Sequence, residues 1–320
     1  MKQLISFVIP CYCSALTIEH VVTEVKQTMS KMPQYETEII LVNDSSPDDT
    51  FAVITSLCRD NPNIIGINLA KNFGQHAALM AGFHYCTGNI VVCLDDDGQT
   101  PADEVGKLLD KIESGADAVY AKYEHKKHSV LRNLGSKVNE LMAQYMLGKP
   151  KELYVSSYFA ARRFVIQEML RYDNSYPYVI GLVLRATKKI ENVVVQHRER
   201  ERGSSGYTLS KLLGLWFNGF TAFSVKPLRV ATVIGAFCAA LGFAYGIYTI
   251  IKRLMNPLVP AGFSSLMAAL MFIGGMLMLM LGLVGEYIGR IYISMNNAPQ
   301  YVIREILNEN MEKENRYEQR

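Results

Sequence analysis

The sequence predicts an α/β domain built on a doubly wound, mostly parallel sheet, followed by an interfacial helix and two membrane-spanning helices. Two observations carry this. Over residues 1–210, short apolar runs alternate with amphipathic runs, and charge is spread throughout. Over residues 230–293, charge nearly disappears. Strands that alternate with helices form βαβ units, and those give a parallel sheet.

The elements follow in order. Leu4-Ile5-Ser6-Phe7-Val8-Ile9 is a buried strand stopped by Pro10. Ile18, Val21, Val22, Val25, Met29 and Met32 recur at helical spacing. Glu38–Val42 is the second strand, ending at Asn43-Asp44. Pro47-Asp48-Asp49-Thr50 opens the second helix, with acidic residues near the positive end of its dipole. Ile64–Leu69 is the third strand and Gly74–Tyr85 the third helix. Ile90–Leu94 is the fourth strand and stops at Asp95. Ala102–Ser114 is helical, and Ala116–Ala121 is a fifth strand.

Ligands of such sheets bind beyond the carboxyl ends of the strands. Tyr12 follows the first strand, Asp44 the second, and Asp95 and Asp97 the fourth, so these groups converge. Neither G-x-G-x-x-G nor a P-loop occurs, which removes support for the common dinucleotide and ATP folds. A net charge of +3 gives no argument for nucleic acid. The six cysteines form no disulfide framework and no zinc spacing, and they read as free thiols in a reducing cytoplasm. No signal peptide precedes the first strand, so the N-terminal domain is expected to stay on the side where it is made.

The second half reads differently. Val230–Ile251 carries no charge, and at about 1.5 Å per residue it spans roughly the 30 Å of a hydrocarbon core. Leu266–Gly285 is a second such stretch. Two spans return the chain to its starting side. Lys226, Arg229, Arg290 and Arg304 flank the outer ends and favour a cytoplasmic catalytic domain, against Lys252 and Arg253 in the loop. Two buried core helices are the alternative. Leu209–Phe223 carries Leu212, Leu213, Leu215, Trp216, Phe217, Phe220 and Phe223, and reads as a helix lying on the bilayer or packing on the sheet. The expected organisation is a catalytic domain over 1–207, an amphipathic helix and linker over 208–229, a two-helix membrane region over 230–293, and a cytoplasmic tail over 294–320.

Asp95-Asp96-Asp97-Gly98-Gln99 directly follows a hydrophobic strand. Carboxylates there can share a hard cation such as Mg²⁺ or Mn²⁺, which prefers oxygen ligands. Such a cation stabilises the charge of a departing pyrophosphate. Lys122, Lys126, Lys127, Arg132 and Lys137 surround Ser136 as a basic cluster. Arg198, Arg200 and Arg202 precede Gly203-Ser204-Ser205-Gly206-Tyr207, a pattern suited to a mobile lid over phosphates.

Several stretches, in order, carry a more specific resemblance. They are Val8-Ile9-Pro10-Cys11-Tyr12, Val42 to Thr50, Asn72-Phe73-Gly74-Gln75-His76, Ala81-Gly82-Phe83, Leu94 to Gln99 with Pro101, Pro227-Leu228-Arg229, and Gly285 to Tyr292. On these the chain resembles a family 2 glycosyltransferase with a GT-A fold, of the polyisoprenyl-phosphate branch. The resemblance implies transfer of a sugar from a nucleotide-sugar, with UDP the expected nucleotide, to undecaprenyl or polyprenyl phosphate. It implies Asp95 and Asp97 as catalytic residues, with Gln99 beside them on Mg²⁺ or Mn²⁺. It implies Pro10, Tyr12, Asp44, Lys71, Asp95 and Asp96 on the nucleotide-sugar, with Asp96 in a spacer position and the replaceable member of the three. It implies Arg132 and Ser136 on the acceptor phosphate, and the basic cluster and Arg-rich run add Lys122, Arg200, Arg202 and Tyr207 to that side. Many relatives carry Asp where this chain has Ser156, so no base is expected there, and direct inverting attack by the lipid phosphate is the implied mechanism.

The chain departs from the family pattern at Cys13-Ser14, where Asn-Glu is usual, and at Gly206, where Lys often precedes the Tyr. The resemblance also implies a bacterial inner-membrane, multi-pass protein and a homo-oligomer, a tetramer. A non-catalytic membrane scaffold or lipid-carrier translocation partner with a degenerate nucleotide-binding domain is the competing reading. The intact acidic cluster argues against it.

Overall fold

The computed structural model describes residues 2–123, 144, 149–196, 226–255, 262–295 and 299–308. The chain divides into two compact units, one formed by Met1–Leu215 with Asn297–Arg320, the other by Trp216–Asn296.

The first unit is an α/β domain on one eight-stranded sheet. Its strands are β1 (Gln3–Cys11), β2 (Tyr35–Asn43), β3 (Ile64–Leu69), β4 (Ile90–Cys93), β5 (Ala118–Tyr123), β6 (Phe159–Arg162), β7 (Ile190–Val195) and β8 (Ile303–Leu307). Their order is β7-β5-β6-β4-β1-β2-β3-β8. The pairs of β1 with β2 and β4, of β2 with β3, and of β5 with β7 are parallel. Only β6 and β8 run against the rest.

Helices cover both faces. On one side α1 (Ile18–Ser30), α2 (Thr50–Asp60) and α4 (Val105–Glu113) pack on Ile5, Phe7, Ile9 and Cys11 of β1 and on Ile39 and Leu41 of β2. On the other lie α3 (Gln75–His84), α5 (Arg163–Leu170) and α6 (Val179–Ala186). The alternation of β1 decides which side chain meets which layer. Gly82 marks the closest approach of α3 to the sheet. A Cβ there would stand 2.5 Å from Val8 Cγ1 and 3.1 Å from Val42 Cγ2.

Pro10 does not end the first strand as the sequence suggests; β1 runs on to Cys11, with Pro10 opposite Val42. The reason is directional. Val8 accepts from Leu94 N–H at 3.2 Å and so faces β4, and Pro10, two residues on, faces the same way. There β4 has already ended, so the missing proline N–H costs no ladder bond. The helix predicted at Ala102 begins as a 3₁₀ turn, Ala102–Glu104, before α4.

The segment expected as a tail returns to the sheet. Ile303–Leu307 pairs antiparallel with β3, and Asn308 Nδ2 donates to the carbonyls of Asn61 and Ile64 at 3.2 and 3.1 Å. Arg304 and Glu305 hid this strand, because both are charged and exposed at an edge.

The second unit holds two long helices, α7 (Lys226–Met255) and α8 (Phe263–Met295). The two expected spans fall inside them. Among the described residues, one window, Phe272–Gly289, is long and apolar enough to cross a membrane, and none of it is buried. The first expected span contributes the shorter apolar stretch Gly235–Tyr245. Of the amphipathic helix and linker expected over 208–229, residues 208–225 lie outside the described residues, and α7 begins at Lys226.

Gly82→Ala tests the α3 contact. The added methyl meets Val8 with no room to move, and overpacking of this kind costs about 1–3 kcal/mol. A lowered thermal midpoint is expected, and an unchanged one would mean that Val8 yields at no cost.

Candidate active site

The parallel strands β1, β2 and β4 finish together, and three loops leave the sheet at that edge. The loop after β4 carries Asp95, Asp96 and Asp97, all half-buried. Each carboxylate has different work.

Asp96 ties loops together. Its Oδ2 accepts from Tyr12 N–H at 2.9 Å, and its carbonyl accepts from Thr17 Oγ1 at 2.6 Å. The residue expected to be a replaceable spacer thus holds the ends of β1 and β4 in one geometry. Burial raises its pKa, and the Tyr12 N–H opposes that rise.

Asp44 does the same after β2. Its Oδ1 accepts from Phe73 N–H at 2.7 Å and its Oδ2 from Gly74 N–H at 2.8 Å. Gly74 has φ of +89°, a conformation that suits glycine, and this lets the chain present both N–H groups to one carboxylate. Asp44 is buried, and burial raises its pKa against those two bonds. The backbone before it is bound as well: Asp44 N–H donates to the Cys11 carbonyl at 3.0 Å. Cys13 N–H donates to Ser46 Oγ at 3.2 Å, and Ser14 N–H to Thr50 Oγ1 at 2.9 Å.

Asp95 is gripped from two directions. Gln75 Nε2, at the start of α3, donates to Oδ1 at 3.0 Å, and the Ser157 hydroxyl donates to Oδ2. Burial is the main cause that pushes its pKa up, to about 6. The Ser157 and Gln75 bonds lower it, while the charges of Asp97 and Asp96 add to the rise. Asp97 Oδ1 accepts from Gln99 N–H at 3.0 Å across Gly98, whose φ is +75°.

Other predicted residues fall as follows. Tyr12 is exposed at 51%, so its ring can meet a ligand, whereas Pro10 is buried within β1. Lys71 is exposed, with Nζ 5.0 Å from the Phe73 ring centroid, on the loop that Asp44 holds. Lys122 is exposed near the end of β5. Arg132, Ser136, Arg200, Arg202 and Tyr207 lie outside the described residues. Ser156 Oγ stands 2.8 Å from the carbonyls of Ala121 and Tyr158, a main-chain role.

Sequence reasoning missed Gln75 and Ser157 as partners of Asp95. Gln75 carried a signal, as the first helical residue after Gly74. Ser157 carried none, because its contact spans 62 residues. His76, beside Gln75, packs edge-on against Tyr178 at 5.1 Å, and burial pulls its pKa down to about 4, so it brings no positive charge.

The chemistry of the edge suits a divalent cation. Three carboxylates crowd together, and the pKa of Asp95 is raised partly by the other two, a repulsion that a cation relieves. Among the described residues no three His, Cys, Asp or Glu side chains form a ready-made cage. Mg²⁺ is bound by one or two carboxylates and completed by substrate phosphates, and that requires no cage.

Residues 6–170 match the family model for Glycosyl transferase family 2. The chain belongs to this family. It is a glycosyltransferase, and its mostly parallel α/β sheet is the one the resemblance implied. Residues 226–291 match the GtrB C-terminal hairpin. The chain is 32% identical over 307 residues to the undecaprenyl-phosphate 4-deoxy-4-formamido-L-arabinose transferase of Klebsiella pneumoniae (strain 342), covering 95% of this chain and 93% of the relative. It is 33% identical over 311 residues to the protein of that name from Sodalis glossinidius (strain morsitans), covering 96% and 94%. Among solved structures, glucosyl-3-phosphoglycerate synthase from Mycobacterium tuberculosis, in complex with Mn²⁺, UDP and phosphoglyceric acid, is 18% identical with a TM-score of 0.49, covering 67% of this chain and 75% of that one.

The raised pKa of Asp95 has a consequence for pH. Between its ordinary value and about 6, the folded glycosyltransferase binds a proton that the unfolded chain releases, so this group's contribution to stability falls as pH rises through that window. Asp95→Asn removes the dependence. In chelator, the thermal midpoint of the variant minus that of the wild type is expected to grow from pH 4 to pH 7. A constant difference would show that burial and its neighbours do not raise the Asp95 pKa on folding.

Proposed function

We propose that this glycosyltransferase moves a sugar from a nucleotide-sugar, UDP-linked, onto undecaprenyl or another polyprenyl phosphate, with inversion at the sugar carbon. The observation that carries the reading is the acidic edge beyond β4, set beside Asp44 and the exposed Tyr12. The names of relatives that match nearly the whole chain support the acceptor. The product serves cell-envelope glycan or lipopolysaccharide modification.

On this reading Tyr12 and Asp44 receive the nucleobase. Asp44 retains acceptor capacity, since each oxygen carries a second lone pair. Lys71 lies on the same side. Asp97 and Gln99, with Asp95, would hold Mg²⁺ or Mn²⁺, which supplies positive charge against the departing pyrophosphate. Lys122, Arg132, Ser136, Arg200, Arg202 and Tyr207 bind the lipid phosphate. That phosphate is an anion at pH 7, so its oxygen attacks the anomeric carbon without a protein base as the sugar–pyrophosphate bond breaks. Ser156, turned to main-chain carbonyls, fits a site with no base.

The membrane unit brings the enzyme to its acceptor. Two spans, within α7 and α8, anchor a cytoplasmic catalytic domain at the inner membrane, and the assembly is a homo-oligomer. The exposed apolar window Phe272–Gly289 supports the anchor.

Asp97→Ala is expected to lower transfer to undecaprenyl phosphate by at least about 100-fold, the scale of losing electrostatic stabilisation of a transition state. The thermal midpoint should stay near the wild-type value, and excess chelator should have the same effect on activity. Full activity in either case would end the metal role. Arg132→Ala is expected to raise the KM for the lipid phosphate while leaving nucleotide binding, read by calorimetry, unchanged. Equal loss of both would remove Arg132 from the acceptor side.

A further inference from the structure

We infer that Ser157 is a positioning residue for the donor side of this site: with Gln75 it locks Asp95 in the orientation that faces the nucleotide-sugar. The inference rests on the reading of the acidic edge as the donor site.

Register puts Ser157 there. β4 and β6 pair antiparallel, with Ile90 opposite Arg162 and Cys93 opposite Phe159. Continued by two residues past the last paired position, the same register sets Asp95 opposite Ser157. Residues directly opposed in an antiparallel pair bring their Cβ atoms to about 5 Å, within reach of a hydroxyl and a carboxylate. The hydroxyl indeed donates to Oδ2. Ser156, one residue earlier, fixes the backbone from which Ser157 projects, through the carbonyls of Ala121 and Tyr158.

The grip is complete and neutral. Gln75 holds Oδ1 and Ser157 holds Oδ2, so rotation of the carboxylate breaks at least one bond. The two donors come from separate elements, the first residue of α3 and the segment leading into β6. A Lys or Arg in either place would fix Asp95 by cancelling its charge. An amide and a hydroxyl fix it and leave the charge for the donor side. Without Ser157, the charges of Asp96 and Asp97 drive the Asp95 carboxylate outward to water, and only Gln75 opposes them. Ser157 is exposed, so its hydroxyl does not hold the core.

Three variants of the full chain, Ser157→Ala, Ser157→Thr and Gln75→Ala, test this in detergent with Mn²⁺. Calorimetry with each of UDP, GDP and CDP identifies the nucleotide that the wild type binds. With that nucleotide, Ser157→Ala is expected to weaken binding about tenfold, the factor that about 1.4 kcal/mol represents, and to raise the donor KM equally with kcat within about twofold. Gln75→Ala should do the same, Ser157→Thr should restore both values, and the thermal midpoint without ligand should not move. Wild-type affinity and KM in Ser157→Ala would overturn the inference, as would a fall in kcat alone or a failure of Thr to rescue. A wild type that binds none of the three nucleotides would overturn the donor reading itself, and the inference with it.

Discussion

The carboxyl edge of this sheet depends on carboxylates that bind main-chain N–H groups. Asp96 takes the N–H of Tyr12, and Asp44 takes those of Phe73 and Gly74. Charge-assisted bonds of this kind are short and about twice as strong as neutral ones. With the bonds from Cys13 N–H to Ser46 and from Ser14 N–H to Thr50, they draw the loops after β1, β2, β3 and β4 into one frame. The exposed Tyr12, Lys71 and the half-buried Asp95 and Asp97 are all carried on that frame. Two of the four aspartates at this edge are therefore scaffold first, and their acidity organises backbone.

The same edge concentrates negative charge. Asp95 sits among Asp96 and Asp97, and burial with their repulsion raises its pKa to about 6. The fold answers with neutral donors, Gln75 and Ser157, which hold geometry without cancelling charge. His76 stays neutral through burial. The edge thus remains electronegative, a field that suits the cation and pyrophosphate of the proposed donor.

Residues near the C-terminus belong to the sheet of the first unit. After α8, residues Ile303–Leu307 complete the sheet beside β3, and Ala70 N–H donates to the Val302 carbonyl at 2.8 Å. The loop that follows β3 is the one whose N–H groups Asp44 holds. A C-terminal strand therefore borders the segment that carries Lys71, and the first unit contains residues from both ends of the chain.

The periodicity of residues 1–121 was enough to name the first five strands and four helices, because each buries one stripe or one face whose spacing is local. It also placed Tyr12, Asp44, Asp95 and Asp97 at one edge, since a parallel sheet sends every strand end to the same side. The short strands β6 and β8 were not legible. Phe159-Ala160-Ala161-Arg162 and Ile303–Leu307 are too brief and too charged or small to show a period, and each owes its form to a partner strand far away in sequence. The roles within the acidic cluster were likewise hidden. Asp96 and Asp95 are neighbours of one residue type, and only tertiary contacts with Tyr12, Gln75 and Ser157 separate a brace from a gripped charge. Sequence alone determined that Tyr12, Asp44, Asp95 and Asp97 reach the edge, because each follows a strand that its local pattern reveals, whereas Ser157 arrives there only through the pairing of β6 with β4. Tertiary structure decided what each one does there, because that depends on register and on hydrogen bonds between loops that the chain brings together only on folding.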